Sequence, residues 1–563
     1  MSRKVIVVGG VAGGASAAAR IRRLDESAVI NVYEQGEHVS YSNCGLPYLL
    51  SGVIPTADRL VMNTPEDFAR RYNISMHTRH RVTEIDRTGK RVLVRDLTGG
   101  REFWDSYDTL VLSTGAAARF PFGEADRERL FIVKDVEDIR RLNDYVRHRG
   151  VKEFVVAGGG FIGLEVAENL CSAGIRVTLV VSRDQVLPTL DLELAQILHK
   201  VLHDRGVEII LNDRLKGLTA DGVLLASGRE LTTPGAVVAA GVTPETSLAK
   251  QAGLELGETG GILVDEHYRS SDPDIFAVGD AIQVQSAVTG GPIRLTQAGP
   301  AQKEARIAAN AICGLEDSAA PFTASTVLKL FDWTAASTGL NERAARAAGL
   351  DCGFSYVIPS DKVGLMPDAH PLFFKLVYER GTGRLLGAQA VGKSGADKRI
   401  DVVAALISMG GTLEELKRLD LCYAPSYGTA KDVVNIAALV ALNLESGRFR
   451  QVPVTRVREL VEQNAYIVDV REEGEFARGH IIGAHNIPLS RIRERSGEIP
   501  RDIPVYLHCR TSQRSYYAIM ALQGMGFDKL CNISGSFLGL SYYEYFSDIY
   551  SGREKILTDY NFN

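Results

Sequence analysis

Two segments of the chain show the same order of apolar runs and glycine-rich turns. Near the N-terminus the pattern predicts a strand, a turn, a helix and a second strand, at residues 5–8, 9–14, 15–24 and 29–33. The same order recurs further along the chain, at residues 154–156, 158–163, 164–171 and 177–181. This order is typical of a βαβ unit, whose parallel strands are buried on both faces. The chain is therefore predicted to be an α/β protein with two nucleotide-binding domains.

The rest of the chain continues this pattern and then departs from it. Residues 274–280 predict another strand, which ends in an acidic residue. A third region, about 323–445, is rich in strand-forming residues and then helical. A short linker at 445–450 precedes a last block, from residue 452 onward, with a βαβ pattern of its own. The length of 563 residues fits three to four domains of roughly 100–200 residues each.

Composition and charge argue against several classes of function. The net charge of −5 and the isoelectric point near 6.2 do not favour a nucleic acid or an anionic membrane as partner. No apolar stretch approaches the ~20 residues that span a bilayer, so the protein is predicted to be cytoplasmic. The seven cysteines are scattered, without CxxC or zinc-type spacing, which predicts reduced thiols and no metal site.

The second turn carries the full G-x-G-x-x-G pattern, at Gly158, Gly160 and Gly163. Its glycines permit a close backbone approach, and the following helix N-terminus offers N–H groups to a pyrophosphate. We therefore predict a dinucleotide site, although a glycine-rich strand end can also be a structural turn. The next strand lacks the terminal acidic residue that favours NADH, and Arg183 could accommodate a 2′-phosphate. The choice between NADH and NADPH stays open.

The first turn departs from this pattern, because Val11 stands where the middle glycine would be. Its remaining small residues are candidate cofactor contacts, namely Gly9, Ala12, Gly13 and Gly14. Glu34, at the end of the next strand, can accept hydrogen bonds from a ribose diol. Asp280 could meet the ribityl phosphate of a flavin or, alternatively, cap a helix N-terminus. Two dinucleotide folds in one chain favour FAD in the first and NAD(P)H in the second.

Cys44 lies in a glycine- and proline-containing loop, residues 40–48, just beyond the strand that ends at Glu34. Such a loop beside a dinucleotide turn favours an activated thiolate, whereas a lone cysteine is more often an inert core residue. No second cysteine occurs within five residues on either side, so a local redox disulfide is excluded. The oxidised form of Cys44 must then involve an external thiol, a sulfenic acid or a persulfide.

Several motifs together resemble those of the coenzyme A-disulfide reductase family. They lie between Val5 and about Ala441 and comprise both glycine turns, the Cys44 loop and the segments 164–169, 336–342, 397–401 and 423–432. The resemblance implies an FAD-containing homodimer in which Cys44 forms a mixed disulfide with coenzyme A and NAD(P)H is the reductant. We also assign Gly115 and Glu165 to cofactor contacts on this basis.

The same resemblance implies roles in substrate binding and proton transfer. Tyr427 would reach the partner subunit's active site and stabilise or protonate a leaving thiolate, or else pack as an interface aromatic. The candidate coenzyme A contacts are Arg20, Arg23, Ser40, Asn43 and Arg71, although arginines on a helix face are more often solvated. Family members often carry tyrosines where this chain has Leu365 and Met366, so a second proton donor is expected to be absent and the substrate or rate to differ.

A second reactive cysteine, Cys509, opens the loop Cys509-Arg-Thr-Ser-Gln-Arg514 between a predicted strand and a helix. Successive N–H groups in such a loop bind anions, favour a thiolate and can hold a persulfide. This loop and the segments 467–476 and 479–488 resemble the rhodaneses. The resemblance implies sulfur transfer through Cys509 and Arg514, and the alternative is an inactive structural module.

These observations predict four domains and leave three functions open. FAD is expected on 1–120 and 246–322, NAD(P)H on 121–245, dimerisation on 323–445 and a rhodanese domain on 452–563. The leading hypothesis is NAD(P)H-dependent reduction of coenzyme A disulfide, coenzyme A persulfide or polysulfide, because fusion raises the effective concentration of one site's product at the other. One alternative is an NADH oxidase or peroxidase, although such enzymes commonly carry a histidine at the position where this chain has Ala12. The other alternative is a sulfur carrier or sensor.

Overall fold

The structure is a computed structural model that describes residues 2–562. It divides into two compact units. The first comprises Met1–Ser182 and Asn212–Phe322, and the second comprises Arg183–Leu211 and Thr323–Asn563. The segment Arg183–Leu211, which the sequence pattern places in the second nucleotide-binding domain, thus clusters with the second unit. Within residues 2–562, no helix combines the length and apolar character needed to cross a membrane.

The first sheet of the first unit is built from the N-terminal βαβ pattern. Its five parallel strands are, in spatial order, Ile275–Ala277, Thr109–Leu112, Lys4–Val8, Val29–Tyr33 and Ser75–His77. In the central strand Val5–Val8 are buried, as expected for a parallel strand that is covered on both faces. The helix Ala12–Leu24 packs on the helix Ala298–Ile312 and begins three residues earlier than predicted, because the turn's last small residues are already helical.

A second sheet in this unit carries the second glycine turn. Its parallel strands are Arg176–Val181, Glu153–Ala157, Ala236–Val238 and Leu130–Phe131. The other strands are antiparallel, namely His80–Asp86 with Arg91–Asp96 and Glu102–Ser106, Leu215–Leu218 with Gly222–Leu225 and Glu230–Thr232, Ala116–Ala118 with Val242–Pro244, and Val284–Gln285 with Pro292–Ile293. The remaining helices are Pro65–Tyr72, Val136–His148, Phe161–Ser172 and Ser247–Gln251, with 3₁₀ helices Asn43–Leu49, Ala57–Leu60 and Glu124–Glu128.

The second unit contains one antiparallel and one parallel sheet. The antiparallel sheet has the spatial order Thr326–Leu330, Trp333–Gly339, Leu385–Gly392, Phe373–Glu379 and Cys352–Val357. The helices that accompany it are Leu192–Asp204, Glu342–Ala347, Ala396–Ser408, Leu413–Arg418 and Val433–Glu445. A further strand of this unit is Glu208–Leu211. This arrangement confirms the α+β character predicted for the third region.

The parallel sheet of the second unit is formed by the last block of the chain. Its spatial order is Arg450–Val452, Leu530–Ile533, Val505–His508, Tyr466–Asp469 and His485–Asn486. Its helices are Val457–Glu462, Glu473–Ala477, Gln513–Gly524 and Ser536–Ser551, with 3₁₀ helices Val454–Arg456, Leu489–Arg491 and Ser496–Glu498. Together with the sheets of the first unit, this confirms the predicted α/β class.

A buried ion cluster joins Arg183–Leu211 to the antiparallel sheet. The ammonium group of Lys375, which is 1% exposed, lies 2.9 Å from Asp191 Oδ2, 2.6 Å from Glu193 Oε1 and 2.8 Å from Glu342 Oε2. Burial alone would lower the pKa of Lys375, but the three carboxylates outweigh it and raise that pKa. The lysine therefore stays charged and holds together residues that are far apart in sequence.

Replacing Lys375 with methionine is expected to destabilise the protein strongly. The substitution leaves the two buried carboxylates of Asp191 and Glu193 without their cation, and removing one partner of a buried pair costs about 3–5 kcal/mol. The free energy of unfolding, measured with a chemical denaturant, should fall by that amount, whereas Lys329→Met on an exposed position of the same sheet should leave it nearly unchanged. Equal stability of the two variants would show that the cluster is not a structural link.

Candidate active sites

The first glycine turn is closed tightly against the neighbouring strand. Gly9 has φ +100°, and a Cβ there would lie 2.1 Å from the Ser113 carbonyl oxygen. A Cβ at Gly14 would lie 1.8 Å from the Gly9 carbonyl oxygen, and one at Gly13 would lie 2.7 Å from Ser113 Oγ. The helix that begins at Ala12 has no side-chain cap. Its first N–H groups are therefore available to an anion, which fits the pyrophosphate of a dinucleotide.

Glu34 lies at the end of the strand Val29–Tyr33, beside this turn. Its carboxylate accepts hydrogen bonds from the N–H groups of Gly10 and Gly36, each at 2.8 Å. Burial raises the pKa of Glu34, although these two hydrogen bonds lower it. A carboxylate can accept about four hydrogen bonds, so it keeps capacity for a ribose diol. The arrangement fits the adenosine end of FAD.

Asp280 is half-buried at the end of the strand Ile275–Ala277. Burial raises its pKa, and the charge of Lys134 opposes the shift. The alternative interpretation as a helix cap is wrong, because Asp280 is followed by a turn and the next helix has Gln297 as its N-cap. Beside it, the buried Glu304 accepts a hydrogen bond of 2.7 Å from the Gly279 N–H, and burial raises the pKa of Glu304 to about 7. Sequence reasoning missed Glu304, whose only signal is a carboxylate in an alanine-rich helix.

The second glycine turn has the same geometry with more open space. A Cβ at Gly158, which has φ +136°, would lie 2.2 Å from the Ala239 carbonyl oxygen, and one at Gly163 would lie 1.9 Å from that of Gly158. Gly160, the N-cap of an otherwise uncapped helix, has no atom within 4 Å of its Cβ position. Open space above a helix N-terminus fits a visiting pyrophosphate. Gly115, with φ +70°, is also open at its Cβ position.

Cys44 stands on the 3₁₀ helix Asn43–Leu49, which contacts the helix Phe161–Ser172. Just after this segment, Ser51 Oγ donates a 2.5 Å hydrogen bond to Asn169 Oδ1, and the Asn169 amide donates to the Glu165 carbonyl. Cys44 itself is exposed, but the surrounding protein raises the pKa of its thiol, and the carboxylates of Glu165 and Asp280 raise it further. The fold thus brings together three predicted site residues from separate segments.

These acidic neighbours oppose the ionisation that the loop is predicted to favour. Desolvation by the surrounding protein and two carboxylates raise the pKa of the Cys44 thiol. Burial raises the pKa of Glu165 itself to about 7, with a further contribution from Glu168. Glu165 therefore acquires its charge in the neutral pH range.

Replacing Glu165 with glutamine is expected to lower the pKa of Cys44. The charge of Glu165 is absent below about pH 7 and present above it, so the difference from the unmodified protein should grow as the pH rises through 7. The rate of Cys44 alkylation by iodoacetamide in the reduced holoenzyme, followed against pH, measures this shift. Glu66→Gln, on an exposed helix position, should reproduce the unmodified profile, and an unchanged profile for Glu165→Gln would contradict the assignment.

A basic cavity of about 340 Å³ opens beside the first helix. Its lining includes the predicted residues Arg20, Arg23 and Ser40. Sequence reasoning missed its other polar lining residues, which are Ser16, Asn63, Tyr72, Gln302 and Arg306. Gln302 and Arg306 are four residues apart on the helix Ala298–Ile312, and this spacing was the available signal. Three arginines around one cavity fit a ligand that carries phosphate groups.

Two other predicted substrate contacts lie outside this lining. Arg71 is 54% exposed and its Nε lies 3.6 Å from Asp67 on the same helix. Asn43 begins the 3₁₀ helix that carries Cys44. The structure therefore separates the five candidates into three that face the cavity, one on the Cys44 segment and one in a surface ion pair.

Tyr427 belongs to the second unit, in the loop that precedes the helix Val433–Glu445. Its side chain is 79% exposed, and Leu365 on a neighbouring loop is 91% exposed. The two loops meet where the Val363 N–H donates a 3.4 Å hydrogen bond to the Pro425 carbonyl. The loop next to the Tyr427 loop thus carries an apolar residue, Leu365.

Cys509 follows the strand Val505–His508 and is 1% exposed. Its N–H donates a 3.2 Å hydrogen bond to Ser536 Oγ, so this N–H group of the loop is already engaged. Ser515 Oγ lies 3.8 Å from Cys509 Sγ. Ser512 adopts φ +73°, a left-handed conformation that favours glycine, and its hydroxyl bonds to the Ile533 carbonyl. The loop is therefore held rigidly around the sulfur atom.

Arg514 closes the other side of this loop through Glu475. The guanidinium donates two hydrogen bonds to the Glu475 carboxylate, at 2.6 and 2.7 Å. This pairing raises the pKa of Arg514 and lowers that of Glu475. A bidentate pair fixes the guanidinium plane beside the cysteine, where it can attract an anionic sulfur group. Glu475 lies in the rhodanese-like segment 467–476, but the sequence did not indicate that it pairs with Arg514.

Comparison with known proteins identifies the domains of this chain. The family model described as "Pyridine nucleotide-disulphide oxidoreductase" matches residues 3–305, its dimerisation domain matches 325–433, and a rhodanese-like domain matches 454–541. A Staphylococcus aureus protein described as "Coenzyme A disulfide reductase" is 30% identical over 434 residues, which are 77% of this chain and 98% of that relative.

Two solved structures match almost the whole chain. The structure of "reduced Bacillus anthracis CoADR-RHD" is 38% identical with a TM-score of 0.93, and covers 96% of this chain and 98% of that one. A "NAD-Dependent Persulfide Reductase from A. fulgidus" is 36% identical with a TM-score of 0.90, and covers 95% of this chain and 99% of that one. The chain therefore belongs to the pyridine nucleotide-disulphide oxidoreductases, within the group related to coenzyme A-disulfide and persulfide reductases that carries a dimerisation domain and a C-terminal rhodanese domain.

Proposed function

We propose that this protein uses NAD(P)H to reduce coenzyme A persulfide, coenzyme A disulfide or polysulfide at Cys44, and that Cys509 handles sulfane sulfur. The observation that carries the proposal is the solitary Cys44 of the first unit. None of the seven cysteines within residues 2–562 forms a disulfide, and Cys44 is exposed beside Glu165 and Asp280. An exposed cysteine without a second cysteine in its loop is suited to exchange with a thiol from outside the chain.

Family membership implies FAD and NAD(P)H as cofactors. We assign FAD to residues 1–120 and 246–322, through the first glycine turn, Glu34 and Asp280, and NAD(P)H to 121–245 through the second turn. The uncapped helix N-termini and the free capacity of Glu34 fit these two ligands. When bound, FAD supplies the transfer of electrons from a hydride donor to a disulfide, which no side chain can perform.

The chemical step starts at Cys44. As a thiolate, it attacks the carbon-bound sulfur of coenzyme A persulfide, so that a Cys44–coenzyme A disulfide forms and hydrosulfide leaves. With coenzyme A disulfide, the leaving group is coenzyme A thiolate. Two electrons from NAD(P)H then cleave the mixed disulfide and restore Cys44, so each turnover oxidises one NAD(P)H and reduces one sulfur–sulfur bond.

Tyr427 supplies the proton for the leaving thiolate from the partner subunit of a homodimer. Its 79% exposure leaves the hydroxyl available to a neighbouring chain, and the matched dimerisation domain at residues 325–433 is consistent with such a partner. The loop with Leu365 and Met366 offers no second hydroxyl there, so a single donor serves this site.

The arginine cavity binds the phosphate groups of coenzyme A. Arg306→Ala removes one charge-assisted contact and is expected to raise KM for coenzyme A persulfide and disulfide about tenfold, with little change in kcat. KM for inorganic polysulfide, which has no phosphate, should stay constant. Arg70→Ala, at a 73% exposed position, is the control, and an equal KM change for polysulfide would contradict the assignment.

Cys509 carries sulfane sulfur for the reductase. Its loop and the Arg514 guanidinium, which Glu475 holds in place, form a rigid setting for a persulfide. A persulfide delivered from Cys509 to coenzyme A gives the substrate that Cys44 reduces, and fusion in one chain keeps the two sites at high effective concentration.

The proposal is tested by NAD(P)H consumption with four oxidants under the same conditions, namely coenzyme A persulfide, coenzyme A disulfide, inorganic polysulfide and hydrogen peroxide. We expect kcat/KM for a coenzyme A sulfur compound to exceed that for peroxide by at least about tenfold. Fastest turnover with peroxide would favour an oxidase or peroxidase. Negligible turnover with every sulfur compound would favour a carrier or sensor.

A further inference from the structure

We propose that Arg399 is a positioning residue that fixes the loop carrying Tyr427, so that a buried guanidinium in one subunit sets the proton donor for the other. The inference rests on the proposed function of Tyr427. Arg399 lies in the segment Asp397-Lys-Arg-Ile-Asp401, which has no role in the chemical steps proposed above.

The guanidinium of Arg399 connects three segments of the second unit. The two N–H groups of its Nη2 are shared among three acceptors, namely the carbonyl of Asp361 at 3.2 Å, the carbonyl of Tyr427 at 3.3 Å and Asp432 Oδ2 at 3.1 Å. Its Nη1 donates to the Gly395 carbonyl at 3.3 Å. One side chain therefore holds the backbone of Tyr427 itself and the start of the neighbouring loop.

This neighbouring loop, residues 361–369, carries Leu365 and touches the Tyr427 loop a second time. The Val363 N–H donates to the Pro425 carbonyl at 3.4 Å. Asp361, which is 1% exposed, is anchored by Ser394 Oγ at 2.7 Å and by the His370 N–H at 2.9 Å. Asp361 is thus the fixed end of the loop. Arg399 links the Tyr427 backbone to it, because the guanidinium contacts both carbonyl oxygens.

Two glycines leave room for the guanidinium. Gly395 has φ +68°, and a Cβ there would lie 2.0 Å from Arg399 Nη1. A Cβ at Gly428, the residue after Tyr427, would lie 3.2 Å from Arg399 Nη2. The backbone on both sides is therefore shaped around this side chain.

Burial and charge make these contacts durable. The side chains of Arg399 and Asp432 are only 11% and 12% exposed, and each provides the other's countercharge. Asp432 Oδ1 also accepts a hydrogen bond of 3.2 Å from the Val434 N–H and caps the helix Val433–Glu445. The Tyr427 side chain, by contrast, is 79% exposed, so its position depends on how its backbone is held.

The test compares Arg399→Met and Tyr427→Phe in the FAD-loaded dimer, with coenzyme A disulfide as substrate. Tyr427→Phe is expected to lower kcat by at least about tenfold, as for loss of a general acid. Arg399→Met should lower kcat by a similar factor, and the double variant should be no slower than the slower single variant, within about twofold. The rate of flavin reduction by NAD(P)H, followed by stopped flow, should be unchanged in all three.

The pH dependence of kcat separates positioning from general damage. Both single variants should lose the same alkaline limb of the profile, whereas a merely structural role of Arg399 would lower kcat equally at every pH. Lys398→Met is the matched control from the same segment, because Lys398 is 75% exposed and should keep full activity.

The outcomes distinguish the two proposals. Full activity of Tyr427→Phe would overturn the function proposed for Tyr427 and the inference with it. A slow Tyr427→Phe beside a fully active Arg399→Met, or losses that multiply in the double variant, would overturn the inference alone. If Arg399→Met does not fold, Asp432→Asn keeps an amide oxygen for the helix cap but weakens the ion pair. It should show the same loss of the alkaline limb, and an unchanged profile would overturn the inference.

Discussion

Cys44→Ser is expected to abolish NAD(P)H-dependent reduction of coenzyme A persulfide and coenzyme A disulfide, with a fall in kcat of at least about 10³-fold. A serine hydroxyl keeps the shape of the side chain but cannot form a mixed disulfide. No other cysteine lies within five residues of Cys44, so no other residue of the loop can take over the exchange. Steady-state turnover of the purified dimer measures the loss.

The control for this variant is Cys171→Ser. Cys171 is half-buried at the end of the helix Phe161–Ser172 and should tolerate the change with normal turnover. Flavin content and sulfur transfer by the rhodanese domain should be normal in both variants, because Cys44 is not among the residues assigned to FAD binding and lies outside the rhodanese domain. Turnover retained by Cys44→Ser, or equally lost in Cys171→Ser, would refute the role given to Cys44.

Cys509→Ser is expected to lower the rate of sulfur transfer from thiosulfate to cyanide by at least about 10³-fold, because no other cysteine in the loop can carry the persulfide. Serine is nearly the same size, so the buried loop with its contacts to Ser536 and Ser515 should persist. Reduction of coenzyme A disulfide should continue at the normal rate, since that substrate arrives with its own sulfur–sulfur bond.

Cys531→Ser provides the comparison within the same domain. Cys531 is half-buried on the strand Leu530–Ile533, next to the strand that leads to Cys509. Its replacement should leave both activities intact. Sulfur transfer that survives in Cys509→Ser would identify the domain as structural, and a parallel loss of disulfide reduction would show that the two cysteines do not act separately.

Much of the fold is predictable from the sequence because parallel strands are buried on both faces. Runs such as Val5–Val8 and Phe154–Val156 are continuously apolar and each is followed by a glycine turn, so strand, turn and helix are all indicated locally. The glycines at 9, 14, 158 and 163 are required by carbonyl oxygens within about 2 Å of a Cβ position. These features depend on neighbours close in sequence.

The parts that escaped prediction depend on residues far apart in sequence. Lys375 gathers carboxylates from positions 191, 193 and 342, and Arg306 joins a cavity whose other arginines are at 20 and 23. The acidic setting of Cys44 was missed for the same reason, because Glu165 and Asp280 approach it only in the folded unit. A single sequence gives the residue types at such a site but not which of them meet.

The most direct test of the central claim is mass spectrometry of the protein after reaction with a small excess of coenzyme A disulfide. We expect one coenzyme A in disulfide linkage per chain, located by peptide mapping at Cys44, released by NAD(P)H and absent from Cys44→Ser. Coenzyme A found on another cysteine, or an adduct at Cys44 that NAD(P)H does not release, would contradict it.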